Sequence, residues 1–119
     1  MAETFVPDNL IAGHFPIASK VGVVLAGEGS LVRGTVLGLA SSGDGAGKYR
    51  KVDSTHTDGT QTAAAVLSES VDAVADVSSV LYLTGEFNER ALVFGGTDTV
   101  ATHKVAAEAR NLYFRPTQK

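Results

Sequence analysis

A chain of 119 residues fits a single domain, and with 13 acidic against 10 basic residues (formal net charge −3) it has no positive excess to draw it to nucleic acid or an anionic membrane. It has no cysteine, which excludes disulfides and thiolate metal sites, and its longest apolar run, Val21 to Ala26 with one glycine, is far too short to span a bilayer. Much of the 44% hydrophobic content is Ala and Val and there is no Trp, so the core is thin and association with further copies would help.

Residues 1–20, MAETFVPDNLIAGHFPIASK, contain two prolines and the scattered apolar residues Phe5, Val6, Leu10, Ile11, Phe15 and Ile17, without helical or two-residue periodicity. They read as a flexible, extended arm rather than a packed element. Glu3 and Asp8 precede any basic residue and no apolar h-region follows, so the segment does not read as a secretory signal and synthesis in the cytoplasm is expected. Two readings stay open for it: a frayed terminus, the commonest fate of such segments, and, because a merely solvated tail would be poorer in Phe, Ile and Leu, an arm that orders when it docks on a partner.

From Lys20 the pattern becomes β. VGVVLA and LVRGTVLGLA predict two strands around a turn at Gly27 to Ser30, with Gly34 and Gly38 marking a bend, a bulge or a close backbone approach. KYRKVD (48–53) predicts a third strand, the Asp58-Gly59 step a turn, and TAAAVL (62–67) the next strand. SESVDAVADVSS (68–79) is expected as a loop holding one helical turn at most. SVLYLTGEF (79–87) reads as a strand that ends at Gly85, and ALVFGG (91–96) as another short one.

One helix is expected, in TDTVATHKVAAEARN (97–111), capped by Thr97 or Asp98. Its apolar stripe would be Ala101, Val105, Ala109 and Leu112, leaving His103 on the exposed side. Asn111 suits a left-handed C-terminal position, and LYFRP returns to strand before Pro116 stops it. The fold class is therefore mainly β (α+β), a small domain with one C-terminal helix and an extended N-terminal arm.

Chemical motifs are few. SSGDGAGKYRKV (41–52) resembles a phosphate-binding loop, but a glycine is missing at the first position of GxxxxGK, Tyr49 stands where Ser or Thr is needed, and strands flank it. It reads as a connecting loop. GEGS (27–30) lacks the third glycine of a dinucleotide fingerprint, and no serine lies in a GxSxG elbow. His14, His56 and His103 fall in separate elements; His56 with Asp58 is the nearest approach to a metal pair and reads as a solvated turn. Asp72 with Asp76, and Glu86 with Glu89, are the available carboxylate pairs and read as solvated charges. No catalytic constellation emerges, and no enzyme activity, metal or cofactor is expected.

The serial order of an arm, AGEGSLVRGTVLG, KYRKVD, DGTQTAAAVL, VDA, LYLTGEFNERAL and a helix running into NLYFRP resembles the lambda-type phage head decoration proteins over nearly the whole chain. Arg33-Gly34-Thr35-Val36-Leu37-Gly38, the DG-to-AVL step and Gly85-Glu86-Phe87-Asn88 carry the resemblance. It implies a β-clip-like domain over residues 21–119 that forms homotrimers, caps local three-fold positions on the outside of the expanded head, and stabilises the virion against internal pressure. It also implies that the arm, residues 1–20, adds a strand to the major capsid protein. Thr4, Phe5, Val6, Pro7, Leu10, Ile11 and Phe15 would then form the capsid-binding segment: an extended arm gains main-chain hydrogen bonds while its apolar side chains fill depressions. No nucleic acid or membrane partner is expected.

Two other readings stay open on the sequence. The dUTP pyrophosphatases share the β-clip type of fold and trimeric assembly, but their glycine-flanked Asp-x-Asp-Tyr-type motif and glycine-rich C-terminal arm have no counterpart here, where the chain ends NLYFRPTQK. A cellular β-barrel adaptor or ligand-binding module is the other.

Overall fold

The computed structural model describes residues 11, 16–43 and 45–115. Nine short strands and one α-helix follow in the order β1 (Ser19–Val24), β2 (Gly29–Leu31), β3 (Val36–Leu39), β4 (Tyr49–Lys51), β5 (Ala65–Leu67), β6 (Val71–Ala73), β7 (Val77–Tyr82), β8 (Gly85–Asn88), α1 (Val100–Glu108) and β9 (Leu112–Arg115) among the described residues. The domain is mainly β with a single helix near its C-terminal end, as the sequence led us to expect.

Five strands close a small barrel in the order β1-β4-β3-β5-β7. β1 and β7 pair antiparallel along their whole lengths, from Ser19↔Tyr82 to Val24↔Val77, and Val24 also pairs with Tyr49 of β4 in parallel. Two two-stranded ribbons flank the barrel: β2 with β6, antiparallel, and β8 with β9, parallel.

Strand alternation feeds two cores. Leu37 of β3 and Ala65 and Leu67 of β5 join Val24, Leu31, Tyr49 and Leu81 in one cluster. Val36 and Val66, which pair across β3 and β5, point the other way and join Val52, Phe87, Ala107, Leu112 and Phe114 in the second. β5 is buried at every residue because both of its faces are covered, so it reads as an unbroken apolar run rather than an alternating one. Gly38 marks a close approach: a Cβ there would lie 2.5 Å from the Cα of Thr60.

Several boundaries differ from expectation. The single strand expected across 31–40 is two, because Thr35 donates from its N–H (3.0 Å) and its hydroxyl (2.7 Å) to the carbonyl of Val32, closing a turn through Gly34 at φ 98. The loop expected at 68–79 contains β6, which gains its backbone partners from β2, and the start of β7. The strand expected to end at Gly85 stops at Tyr82, and Gly85, at φ 146, opens the separate strand β8. ALVFGG is not a strand: a 3₁₀ turn at Glu89–Ala91 enters it, with Asn88 accepting from Arg90 N–H, and Val93 makes only an isolated parallel bridge to Thr35.

The helix departs most. Its N-cap is Thr99, whose N–H donates to the Thr102 hydroxyl at 3.0 Å. Asp98, one of the expected caps, turns inward instead. Ala101, Val105 and Ala109 face solvent, Val105 at 80% exposure, while His103 (2%) and Ala107 (0%) face the core. A specific polar contact sets this phase against the apolar stripe: His103 Nε2 bonds Asp98 Oδ2 at 2.7 Å and its ring stacks on Phe94. Asn111 does adopt the left-handed conformation expected of it, with φ 66.

Candidate functional site

Of the arm residues singled out by the sequence, Ile11 is described; Thr4, Phe5, Val6, Pro7, Leu10 and Phe15 lie outside the described residues. Ile11 forms an antiparallel bridge with Phe87 on the edge of β8 not taken by β9, and its half-buried side chain packs against the Phe87 and Phe114 core. Farther along, Thr84 holds the chain at two points: its hydroxyl accepts from Ala18 N–H and donates to the carbonyl of Pro16, both at 2.9 Å. Leu83 N–H adds a bond to the carbonyl of Ala18 at 2.7 Å, and Ser19 and Lys20 are the first residues of β1. The segment between Pro16 and Lys20 is thus fastened to the loop between β7 and β8.

The lysine of the GK step in the glycine-rich loop is paired rather than offered to a phosphate. Lys48 Nζ is 2.6 Å from Asp76 Oδ2, while Asp76 Oδ1 accepts from Ala26 N–H, so the loop is pinned to the end of β1 and the β6–β7 turn. The Lys48 hydrogen bond, then Ala26 N–H, keep the Asp76 carboxyl below its ordinary range. Carbonyl bonds close the hairpin: Ala40 N–H to Lys48, and Gly47 N–H to Ala40.

A second polar centre lies where the 53–60 loop meets the turn before α1. Asp98 accepts from Ser54 through both N–H and hydroxyl (2.6 Å each) and from His103 Nε2. Burial pushes the Asp98 carboxyl up, but the Ser54 hydroxyl, His103 and the Ser54 N–H together hold it below the ordinary range. Ser, His and Asp thus meet, yet not as a nucleophilic triad: the Ser54 hydroxyl is committed to the carboxylate rather than to the imidazole, and His103 is sealed inside. The three side chains instead join the helix to the loop beneath it.

Beside this centre, a cavity of about 190 Å³ is lined by Glu28, Lys51, Asp53, His56, Gly95 and Gly96. His56 Nδ1 is 2.7 Å from the Thr60 hydroxyl, and its Nε2 faces Asp53 Oδ2 at 4.0 Å rather than the Asp58 considered from the sequence. Asp58 binds Thr60 and lies 3.6 Å from Arg50 Nε. Thr55 N–H and hydroxyl lower the Asp53 carboxyl. Among the described residues no group of three His, Cys, Asp or Glu side chains is placed to hold a metal ion. Of the carboxylate pairs, Glu86 is bound to Arg115 at 2.9 Å and Asp76 to Lys48; neither pair forms an acid–base couple.

Sequence reasoning missed the buried His103 because a histidine among alanines has no apolar periodicity. The spacing of Asp98 to His103 across a helix start was its only signal. No helix among the described residues is long and apolar enough to cross a membrane. No curated protein matches the chain. The family model described as bacteriophage lambda head decoration protein D matches residues 3–112.

Proposed function

The chain belongs to the bacteriophage lambda head decoration protein D family, and from that premise we propose that it binds the outer surface of the expanded head as a homotrimer at local three-fold positions. There it stabilises the shell against internal pressure, with the arm adding a strand to the major capsid protein. The observation that carries this reading is the extent of the match, from residue 3 to 112, which takes in the arm and the body together.

Two structural features support it. Ile11 has strand geometry against β8, so backbone of the arm pairs by strand addition once an edge is offered. The polar centres at Asp76 and Asp98 are occupied internally, which suits a protein whose work is adhesion rather than turnover. Ordering an arm costs about 1–2 kcal/mol of backbone entropy per residue fixed, so one arm alone binds weakly. Three arms on one trimer share the cost of encounter, because the second and third bind at high effective concentration. Thr4, Phe5, Val6, Pro7, Leu10, Ile11 and Phe15 are the side chains assigned to the coat surface.

Co-sedimentation with cognate expanded heads tests the proposal. The full-length protein is expected to pellet with heads and the protein lacking residues 1–16 to remain in the supernatant; equal pelleting of the two removes the arm mechanism. Light scattering of the free protein at micromolar concentration is expected to give the mass of three chains, and a monomer there contradicts the trimer.

A further inference from the structure

The cavity lined by Glu28, Lys51, Asp53, His56, Gly95 and Gly96 holds two half-used carboxylates. Glu28 Oε1 accepts from Lys51 N–H at 3.0 Å, and Asp53 Oδ1 accepts from Thr55 N–H and hydroxyl at 2.9 and 2.7 Å. No described donor bonds the other oxygen of either group. Asp53 Oδ2 is reachable because residue 96 has no side chain: a Cβ on Gly96 would lie 2.9 Å from it.

The lining carries two carboxylates, the ammonium of Lys51, which has no ion pair among the described residues, and the His56 imidazole, whose Nε2 faces Asp53 Oδ2 at 4.0 Å, beyond hydrogen-bond distance. Surplus negative charge, two unfilled acceptors and a small open volume define the complement as a cation with several donors in a plane. We propose that this cavity is a socket for an arginine side chain of the coat-protein partner. The partner's identity rests on the decoration reading; the guanidinium chemistry does not. A guanidinium presents a fork of N–H donors that can serve Glu28 Oε2 and Asp53 Oδ2 at once, whereas a lysine ammonium is a point charge and a neutral amide brings no charge. The net charge of −3 favours a basic partner surface in the same sense.

The test uses the ¹⁵N-labelled full chain and N-acetyl-arginine amide as probe. Amide shifts are expected at Glu28, Lys51, Asp53, His56, Gly95 and Gly96, saturating together, with N-acetyl-lysine amide weaker. Glu28→Gln keeps an acceptor for Lys51 N–H and is expected to weaken the probe about two- to fivefold; Lys51→Gln, which removes the competing cation, is expected to tighten it by a similar factor. Opposite signs from two neighbouring substitutions are what a purely structural role does not produce. Scattered or unsaturable shifts, or unchanged binding in both Glu28→Gln and Lys51→Gln, overturn the socket. If Glu28→Gln does not fold, Lys51→Gln decides alone, and weaker binding there is the overturning result.

Co-sedimentation separates the two proposals. Should the wild-type protein ignore heads, the decoration reading fails while the titration still judges the socket. Equal head binding by wild type and Glu28→Gln removes the coat arginine, and a change in self-association in Glu28→Gln assigns the socket to a second copy instead, which also overturns it.

Discussion

His103 and Asp98 meet at 2.7 Å across the start of the only helix described, both almost sealed from water at 2% and 5% side-chain exposure. Removing the imidazole leaves a buried carboxylate held by Ser54 alone and a gap beside Phe94. His103→Ala is expected to lower stability by about 3 kcal/mol. Urea unfolding checks it, as a lower midpoint at unchanged slope.

Acid stability follows from four depressed carboxyls, Asp53, Asp58, Asp76 and Asp98. A carboxyl whose folded value lies below its unfolded value contributes fully above the unfolded value, about 3.9, and loses that contribution as pH falls through the folded one. These groups therefore leave stability level from pH 7 to about pH 5 and remove it below about pH 4. Asp98→Asn is expected to be less stable than wild type at pH 7, with the difference shrinking towards pH 2, as followed by denaturant midpoints across pH.

The phase of the helix is testable on its exposed apolar residue. Val105→Lys is expected to change stability by no more than about 0.5 kcal/mol, because the side chain is 80% exposed. Ala107→Leu, three methylene-sized groups forced against Phe87 and Phe114, is expected to cost about 2 kcal/mol. Thermal melts of the two variants measure both.

Gly38→Ala drives a methyl group to 2.5 Å from the Thr60 Cα, a backbone atom that cannot swing away. A loss of about 3 kcal/mol is expected, with amide shift changes centred on the 53–60 loop.

Deleting residues 1–16 removes Ile11 from the Phe87 edge and the Pro16 acceptor from Thr84. The body is expected to stay folded, with its midpoint lowered by about 1–2 kcal/mol for the lost half-buried isoleucine and hydrogen bond. A spectrum that collapses on truncation contradicts this.

What the sequence made legible was what local chemistry determines. Short apolar runs located β1, β5 and β7, and Asn111 marked the helix end. The rest depended on partners distant in the chain. Val71 to Ala73 became a strand only because Gly29 to Leu31 offers it a ladder, and residues 31–40 divided because a threonine hydroxyl closed a turn inside an apolar run. The helix followed a single buried hydrogen bond, His103 to Asp98, over the stripe of Ala101, Val105 and Ala109. For the candidate site, composition identified the arm, but the polar cavity assembles Glu28, Lys51 with Asp53, and Gly96 from three separate stretches and left no motif.

Tension on the arm has a defined route into the body. From Pro16 the chain passes Thr84 and enters β1 at Ser19, whose run to Val24 is paired with β7 at every residue. A pull directed along that strand shears all the pairs together instead of peeling them one after another. The barrel thereby turns its longest ladder into a lap joint, strongest along the line in which a tether at the N-terminus would load it.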